Sequence, residues 1–229
     1  MKLPISDRLL ACANFVNPGD RVADIGCDHG YLSIHLLSNG IARSCIASDI
    51  NEGPLNSAIR NARKFGVSDR VNFYLCDGAR GIPRDFDTLV CAGMGGDTMI
   101  HILDAAPWLK AEGYRLILQC QSKTPMLRGY LNENGWRITR EVALRDGRHL
   151  YTVMEVLFDP ALPPLEDWQC WFPSALLDTP TEDLADYFRY VREGLRIATA
   201  HKEDPEKSHI LAKLDELAVS HPFLKEDTL

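Results

Sequence analysis

The sequence predicts an α/β protein: a doubly wound parallel sheet closed by an antiparallel hairpin, with a small helical domain behind it. Three observations predict this. From Arg21 to Asn134 short apolar runs alternate with stretches of helical periodicity, the pattern of successive βαβ units. Two longer strand-like runs then flank Arg145-Asp146-Gly147-Arg148, and Asp-Gly is a strong hairpin signal. Beyond Asp159, Pro160, Pro163, Pro164, Pro173 and Pro180 punctuate a linker that leads into two amphipathic helical stretches. The expected division is residues 1–159 for the sheet domain and 160–229 for the linker and helical hairpin.

Taken in order, Ser6 is placed to cap a helix whose Leu9, Leu10, Ala13 and Phe15 or Val16 fall near helical spacing, and Asn17-Pro18-Gly19-Asp20 ends it as a turn. Candidate strands follow at Arg21–Ile25, Ser44–Asp49, Val71–Cys76, Thr88–Cys91 and Tyr114–Gln119. Several are apolar almost throughout, as parallel strands covered on both faces should be. Helix candidates between them are His29–Ser38, Pro54–Phe65, Asp97–Leu103 and Pro125–Asn134. The hairpin strands are Trp136–Leu144 and Leu150–Phe158. In the tail, Leu184, Phe188, Val191 and Leu195 mark a helix over Thr181–His201, and Ile210, Leu211, Leu214 and Leu217 mark another over Pro205–Ser220. A short polar turn between them implies an antiparallel pair.

Composition narrows the function classes. The 229 residues suit one complete α/β domain plus an appendage. Seven scattered cysteines include no Cys-x-x-Cys and no zinc-type spacing, so no metal is expected. No run approaches the roughly 18 uncharged apolar residues of a membrane span, and the N-terminus lacks a signal peptide's features. The expected compartment is the reducing cytoplasm, and nothing calls for an obligatory protein partner. Net charge is −7, and the tail from Pro160 onward, with seven basic and fourteen acidic residues, carries all of it. The first domain is therefore balanced, and a nucleic-acid partner is not excluded. Arg137, Arg140, Arg145 and Arg148 form one basic group, and Arg60, Arg63 and Lys64 another. Either reads by itself as a solvated charged face.

The chemistry concentrates in Val22-Ala23-Asp24-Ile25-Gly26-Cys27-Asp28-His29-Gly30-Tyr31-Leu32, which follows a strand and opens a helix. Gly26 and Gly30 permit a tight turn and a close ligand. The spacing is G-x-x-x-G rather than the G-x-G-x-x-G of dinucleotide sites, and Asp24 and Asp28 would repel a pyrophosphate. A sulfonium cofactor with an α-amino group tolerates such carboxylates. Asp49, with Ile50 beside it, ends the second strand, where a carboxylate accepts hydrogen bonds from ribose hydroxyls; Asp77-Gly78 follows the third, where Asp77 is placed for the exocyclic amine of adenine. Acidic strand ends in series, with Cys27, His29 and Gly30 in the loop, predict a site for S-adenosylmethionine. The fourth strand runs into Ala92-Gly93-Met94-Gly95-Gly96, where glycines leave room for a flat base against the backbone. A parallel sheet closed by a hairpin is the arrangement of Rossmann-like methyltransferases.

The ordered set Ser6-x-Arg8-Leu9, Ala23 to Leu32, Asp77-Gly78, Ala92 to Gly96, Leu118-Gln119, Leu127-Arg128 and Tyr151 resembles the bacterial tRNA (adenine-22-N1)-methyltransferase family. The resemblance covers almost all of Met1 to Phe158; the tail matches only in being helical. It implies methyl transfer from S-adenosylmethionine to N1 of an adenine in tRNA. Three positions depart from the family: Ser33 where proline is usual, Cys120-Gln121 where Pro-Asn is expected, and Arg145 where an acidic residue is common. The expected catalytic group is Asp28, His29, Gly93, Met94 and Gly95, with Gly93 also touching the cofactor. Expected substrate contacts are Arg8, Gln119, Arg128, Arg145 and Arg148. Arg189, Arg192 and Arg196 recur at helical spacing and form a basic stripe or pair with acidic residues of the partner helix; the expectation is a mixed role, in which the tail packs by its apolar seam and offers that stripe to the tRNA. From the residues alone, a small-molecule methyltransferase and a non-catalytic RNA- or protein-binding module stay open as alternatives.

Overall fold

Short apolar runs become the central strands of a seven-stranded sheet. The computed structural model describes residues 3–161, 163, 165–201 and 203–224; Pro164 and the last five residues of the tail lie outside them. The strands are β1 (Arg21–Ile25), β2 (Ser44–Asp49), β3 (Val71–Leu75), β4 (Thr88–Gly95), β5 (Arg115–Ser122), β6 (Trp136–Asp146) and β7 (His149–Phe158). Their order is β3-β2-β1-β4-β5-β7-β6. The first five run parallel, and β7 inserts antiparallel between β5 and β6. The expected hairpin therefore closes the sheet, with Gly147 and Arg148 as its two-residue turn.

Helices α1 (Asp7–Ala13), α2 (Tyr31–Ser38) and α3 (Glu52–Lys64) accompany one apolar cluster built on Val22, Ile34, Leu36, Ala58 and Val90. Helices α4 (Gly96–Asp104) and α5 (Thr124–Glu133) accompany a second, containing Ile25, Leu89, Met99, Leu116, Leu127 and Leu131. Buried β1 and β2 are apolar because both faces are covered. Ser6 stands at the N-cap of α1, but its hydroxyl makes no capping bond and is buried without a partner.

The tail consists of the short helix α6 (Asp167–Trp171), then α7 (Glu182–His201) and α8 (Pro205–Ser220). Phe172, Leu184, Phe188, Leu195, Ile210 and Leu214 form its core, and Ala143 and Leu150 of the sheet hairpin pack against that core. The tail is thus seated on β6 and β7 and shares apolar surface with them. Among the described residues no helix is long and apolar enough to cross a membrane, and no cluster of potential metal ligands occurs.

Candidate active site

The loop between β1 and α2 turns its backbone donors inward. Gly26 and Cys27 donate to the Ser48 carbonyl at 2.8 and 2.9 Å, Gly30 donates to Cys27 at 2.7 Å, and the Asp28 amide donates to Asp49 Oδ2 at 3.1 Å. A diphosphate would need those amides; here they are occupied, while carboxylates lie along the strand ends. Gly26 and Gly30 both have positive φ, at 70° and 71°. A Cβ on Gly26 would overlap the Met94 methyl at 2.0 Å, and one on Gly30 would meet Ala58 Cβ at 2.9 Å. Asp28 itself has φ 49°, a strained value for a side-chain-bearing residue, and its carboxylate is exposed. His29 is also half-exposed, with Nε2 3.7 Å from Asp28 Oδ1.

Asp49 is buried at the end of β2, and its Oδ1 accepts from the Asn51 amide at 2.8 Å. Ile50 beside it is exposed. Asp77 lies after β3 with its carboxylate 3.6 Å from His101 Nε2 and 3.8 Å from Arg80 Nη1. Gly78 follows with φ 59°. Asp24 is buried like Asp49, and its Oδ2 accepts a hydrogen bond from Ser33 Oγ at 2.8 Å. Burial pushes its carboxyl up to about 6 despite the Ser33 hydrogen bonds that work the other way. Ser33, which departs from the resembled family, is thus the partner of the innermost acid. Burial also pushes the Cys27 thiol up, which keeps it a neutral packing group.

The glycine loop at the end of β4 is built by a register break. Pairing with β5 skips from Ala92↔Gln119 to Met94↔Cys120 and then to Gly95↔Ser122. Gly93, at φ 81°, leaves the ladder, and its amide donates instead to Gln119 Oε1 at 3.0 Å. A bulge of this kind re-aims the backbone at a strand end. Arg8 Nη1 also approaches Gln119 Oε1, at 3.4 Å, and its Nε lies 3.5 Å from Asp146. A Cβ on Gly93 would come within 2.8 Å of Arg8 Nη1. Helix α1, the glycine loop and the sheet hairpin therefore converge on Arg8. Gln119 is fully buried, so it latches the loop from below and is not available to contact a substrate.

The basic residues separate. Arg128, expected at the substrate, is 0% exposed. Its Nη2 pairs with the equally buried Glu141 at 2.6 Å and donates to Thr152 and Tyr187, while Nη1 donates to the carbonyls of Cys170 and Trp171. It cannot reach a phosphate; it pins the tail to the sheet. Arg145 is bound to Asp183 and Asp186 of α7, a second tie to the tail, with its side chain still partly exposed. Arg148 stays exposed in the hairpin turn, with Nε 3.3 Å from His149 Nε2. Arg140 lies over the Phe15 ring at 3.8 Å. In the tail, Arg192 pairs with Asp215 of the partner helix α8, whereas Arg189 and Arg196 pair with Asp186 and Glu193 of their own helix.

The strand order is that of Rossmann-like methyltransferases, and the loop after β1 turns four of its amides inward beside acidic strand ends, so fold and site together point to a methyltransferase. The family described as Methyltransferase domain matches residues 5–154, and the chain belongs to it. The tRNA (adenine(22)-N(1))-methyltransferase of Bacillus subtilis strain 168 is 33% identical over 154 residues, which are 67% of this chain and 65% of that relative. A putative tRNA (m1A22) methyltransferase of Streptococcus pneumoniae, solved in complex with S-adenosyl-L-methionine, superposes with a TM-score of 0.82 at 27% identity, over 93% of this chain and 98% of that one. The B. subtilis M1A22 tRNA methyltransferase superposes with a TM-score of 0.78 at 25% identity, over 98% of each chain. These spans reach well into the helical tail.

Proposed function

We propose that the chain is an S-adenosylmethionine-dependent methyltransferase that modifies N1 of an adenine in tRNA, the reaction that the names of its relatives state. The observation that carries this reading is the pairing of two features at adjacent strand ends. One is a cofactor loop whose amides are turned inward beside Asp49 and Asp77; the other is a bulged glycine loop whose backbone faces the same crevice. With tRNA as its substrate, the reading calls for a cytoplasmic reaction and asks for no obligatory protein partner.

S-adenosylmethionine supplies an electrophilic methyl group on a sulfonium. Asp49 would hold the ribose hydroxyls and Asp77 the adenine amine, while Gly26 and Gly30 let Met94 and Ala58 pack against the cofactor loop. The target base leaves its RNA stack to enter the crevice. Gly93 to Gly95 bound the space for that base, with Met94 packed beneath Gly26 so that the two loops keep a fixed separation. The N1 lone pair would take the methyl group from the bound cofactor, which would leave as the neutral thioether, so the positive charge would pass to the base. Holding N1 in line with the methyl provides most of the acceleration. The exposed Asp28 carboxylate stabilises the cationic product, and His29 beside it orients the base or accepts a proton from the amine.

Label transfer from methyl-labelled cofactor tests this. Incorporation into tRNA, and none into a small-molecule extract, supports the reading; label only in small molecules, or none anywhere, defeats it.

A further inference from the structure

Beside the glycine loop lies a cleft that the reaction above does not use. It has a volume of about 690 Å³ and runs between the end of β5 and helix α7. Ser122, Lys123, Thr124 and Pro125 form one wall. The other side is aromatic and aliphatic, with Tyr151 of β7, Trp171, and Tyr187, Tyr190 and Ile197 of α7. We infer that this cleft is a stacking site for an unpaired base of the RNA substrate, adjacent to the base held at the glycine loop. The inference rests on the tRNA reading above.

Helix α7 has one face committed to the tail core, through Leu184, Phe188 and Leu195. Tyr190, Gly194 and Ile197 fall at i, i+4 and i+7 on another stripe, bordering the cleft. Tyr190 is 66% exposed and Ile197 54%, an apolar surface that the chain's own packing leaves to water. Between them, a Cβ on Gly194 would meet nothing within 4 Å, so the helix backbone itself offers a flat floor. An exposed ring beside a flat floor suits a planar base, and stacking on aromatic side chains tolerates any base.

Two further features favour RNA as the occupant. The cleft is continuous with the site: a Cβ on Gly95 would meet Ser122 Oγ at 2.9 Å, and one on Gly96 would meet the Lys123 carbonyl at 2.9 Å. The strap that walls the cleft is thus also the back of the glycine loop. The charges suit as well. Lys123 lies on that strap, more than half exposed and paired with Asp97, where the phosphates joining two neighbouring bases would cross. The carboxylate on the cleft's rim, Glu193, is answered by Arg196 at 3.4 Å. No residue of the cofactor crevice lines this cleft, so its contribution can be separated from cofactor binding.

The test uses the full chain with Tyr190→Ala, which removes the exposed ring, Gly194→Leu, which fills the floor, and Tyr190→Phe, which keeps the ring. The readouts are kcat/KM for tRNA and S-adenosylmethionine affinity by calorimetry. Expected are losses of about tenfold toward tRNA for the first two variants, little change for the third, and unchanged cofactor affinity throughout. An active wild type with Tyr190→Ala and Gly194→Leu equally active overturns the inference while leaving the tRNA reading standing. A wild type that transfers no methyl to tRNA overturns both. Variants unchanged toward tRNA but altered in oligomeric state would give the cleft to a second copy of the chain, which also overturns the inference.

Discussion

Replacing Arg128 with Met should unlock the tail and cost the protein much of its stability. The side chain keeps its length and apolar stem, but Glu141 is left buried and charged with no cation beside it. Breaking a buried ion pair from one side costs about 3–5 kcal/mol. The carbonyls of Cys170 and Trp171 lose their donors too, at about 1 kcal/mol each where water does not replace them. Against a typical total of roughly 5–15 kcal/mol, the loss is a large fraction. Urea unfolding would read it as a lowered midpoint. The double variant Arg128→Met with Glu141→Leu should recover most of it, because an apolar pair carries no desolvation cost. Two atoms of the native pair, Arg128 Nε and Glu141 Oε2, already lack partners. If Arg128→Met unfolds within about 1 kcal/mol of wild type, the tail is not pinned in this way. The same variant separates pinning from phosphate binding. A lost phosphate contact would shallow the salt dependence of tRNA affinity by about one unit, and the buried position predicts no such change in folded protein.

Further outcomes follow from the site. Asp49→Ala should weaken S-adenosylmethionine binding by about 2–3 kcal/mol, the scale of hydrogen bonds to a charged group, and calorimetry reads it directly. Asp24 binds a proton more tightly folded, at about 6, than its ordinary 3.8, so its contribution is fully present below about pH 4 and is lost as pH rises through 6. The stability difference between wild type and Asp24→Asn should therefore shift against wild type by about 3 kcal/mol between pH 4 and 7; a pH-independent difference would place Asp24 in a wetter setting than its burial indicates. Gly93→Ala forces a side chain into positive φ and against Arg8, and should lower kcat by on the order of a hundredfold; a variant as active as wild type would show that the bulge does not shape the site.

The sheet was legible because its strands are short, apolar and punctuated. Arg21–Ile25 and Ser44–Asp49 match the observed strands to the residue, since buried parallel strands read as uninterrupted runs with polar ends. Strand β4 extends beyond the predicted Cys91 to Gly95, because pairing resumes after the bulge and no apolar run reports that. Helix α6 went unnoticed although Glu166 and Gln169 have capping-box spacing; at five residues it has too little periodicity to stand out. Among the candidate site residues, Asp49 and Asp77 stand out by their position at strand ends. The role of Gln119 was visible only as an anomaly, a polar side chain inside an apolar strand that had to find internal partners. Arg128 misled for the opposite reason. On a helix an arginine ordinarily faces water, and its partners Glu141, Thr152 and Tyr187 come from three other elements that only the tertiary fold brings together. Deleting the tail after Asp159 would uncover that same buried charge, so point variants are the cleaner probe of the tail.

The most direct test of the account is to incubate the full chain with S-adenosylmethionine and an unmodified tRNA transcript, then map the methylated nucleotide by mass spectrometry. A second transcript carries guanine in place of adenine at position 22. The account predicts a single N1-methyladenine in the first transcript and none in the second. Methyl groups on another nucleotide, on the substituted transcript to the same extent, or on neither RNA would contradict it.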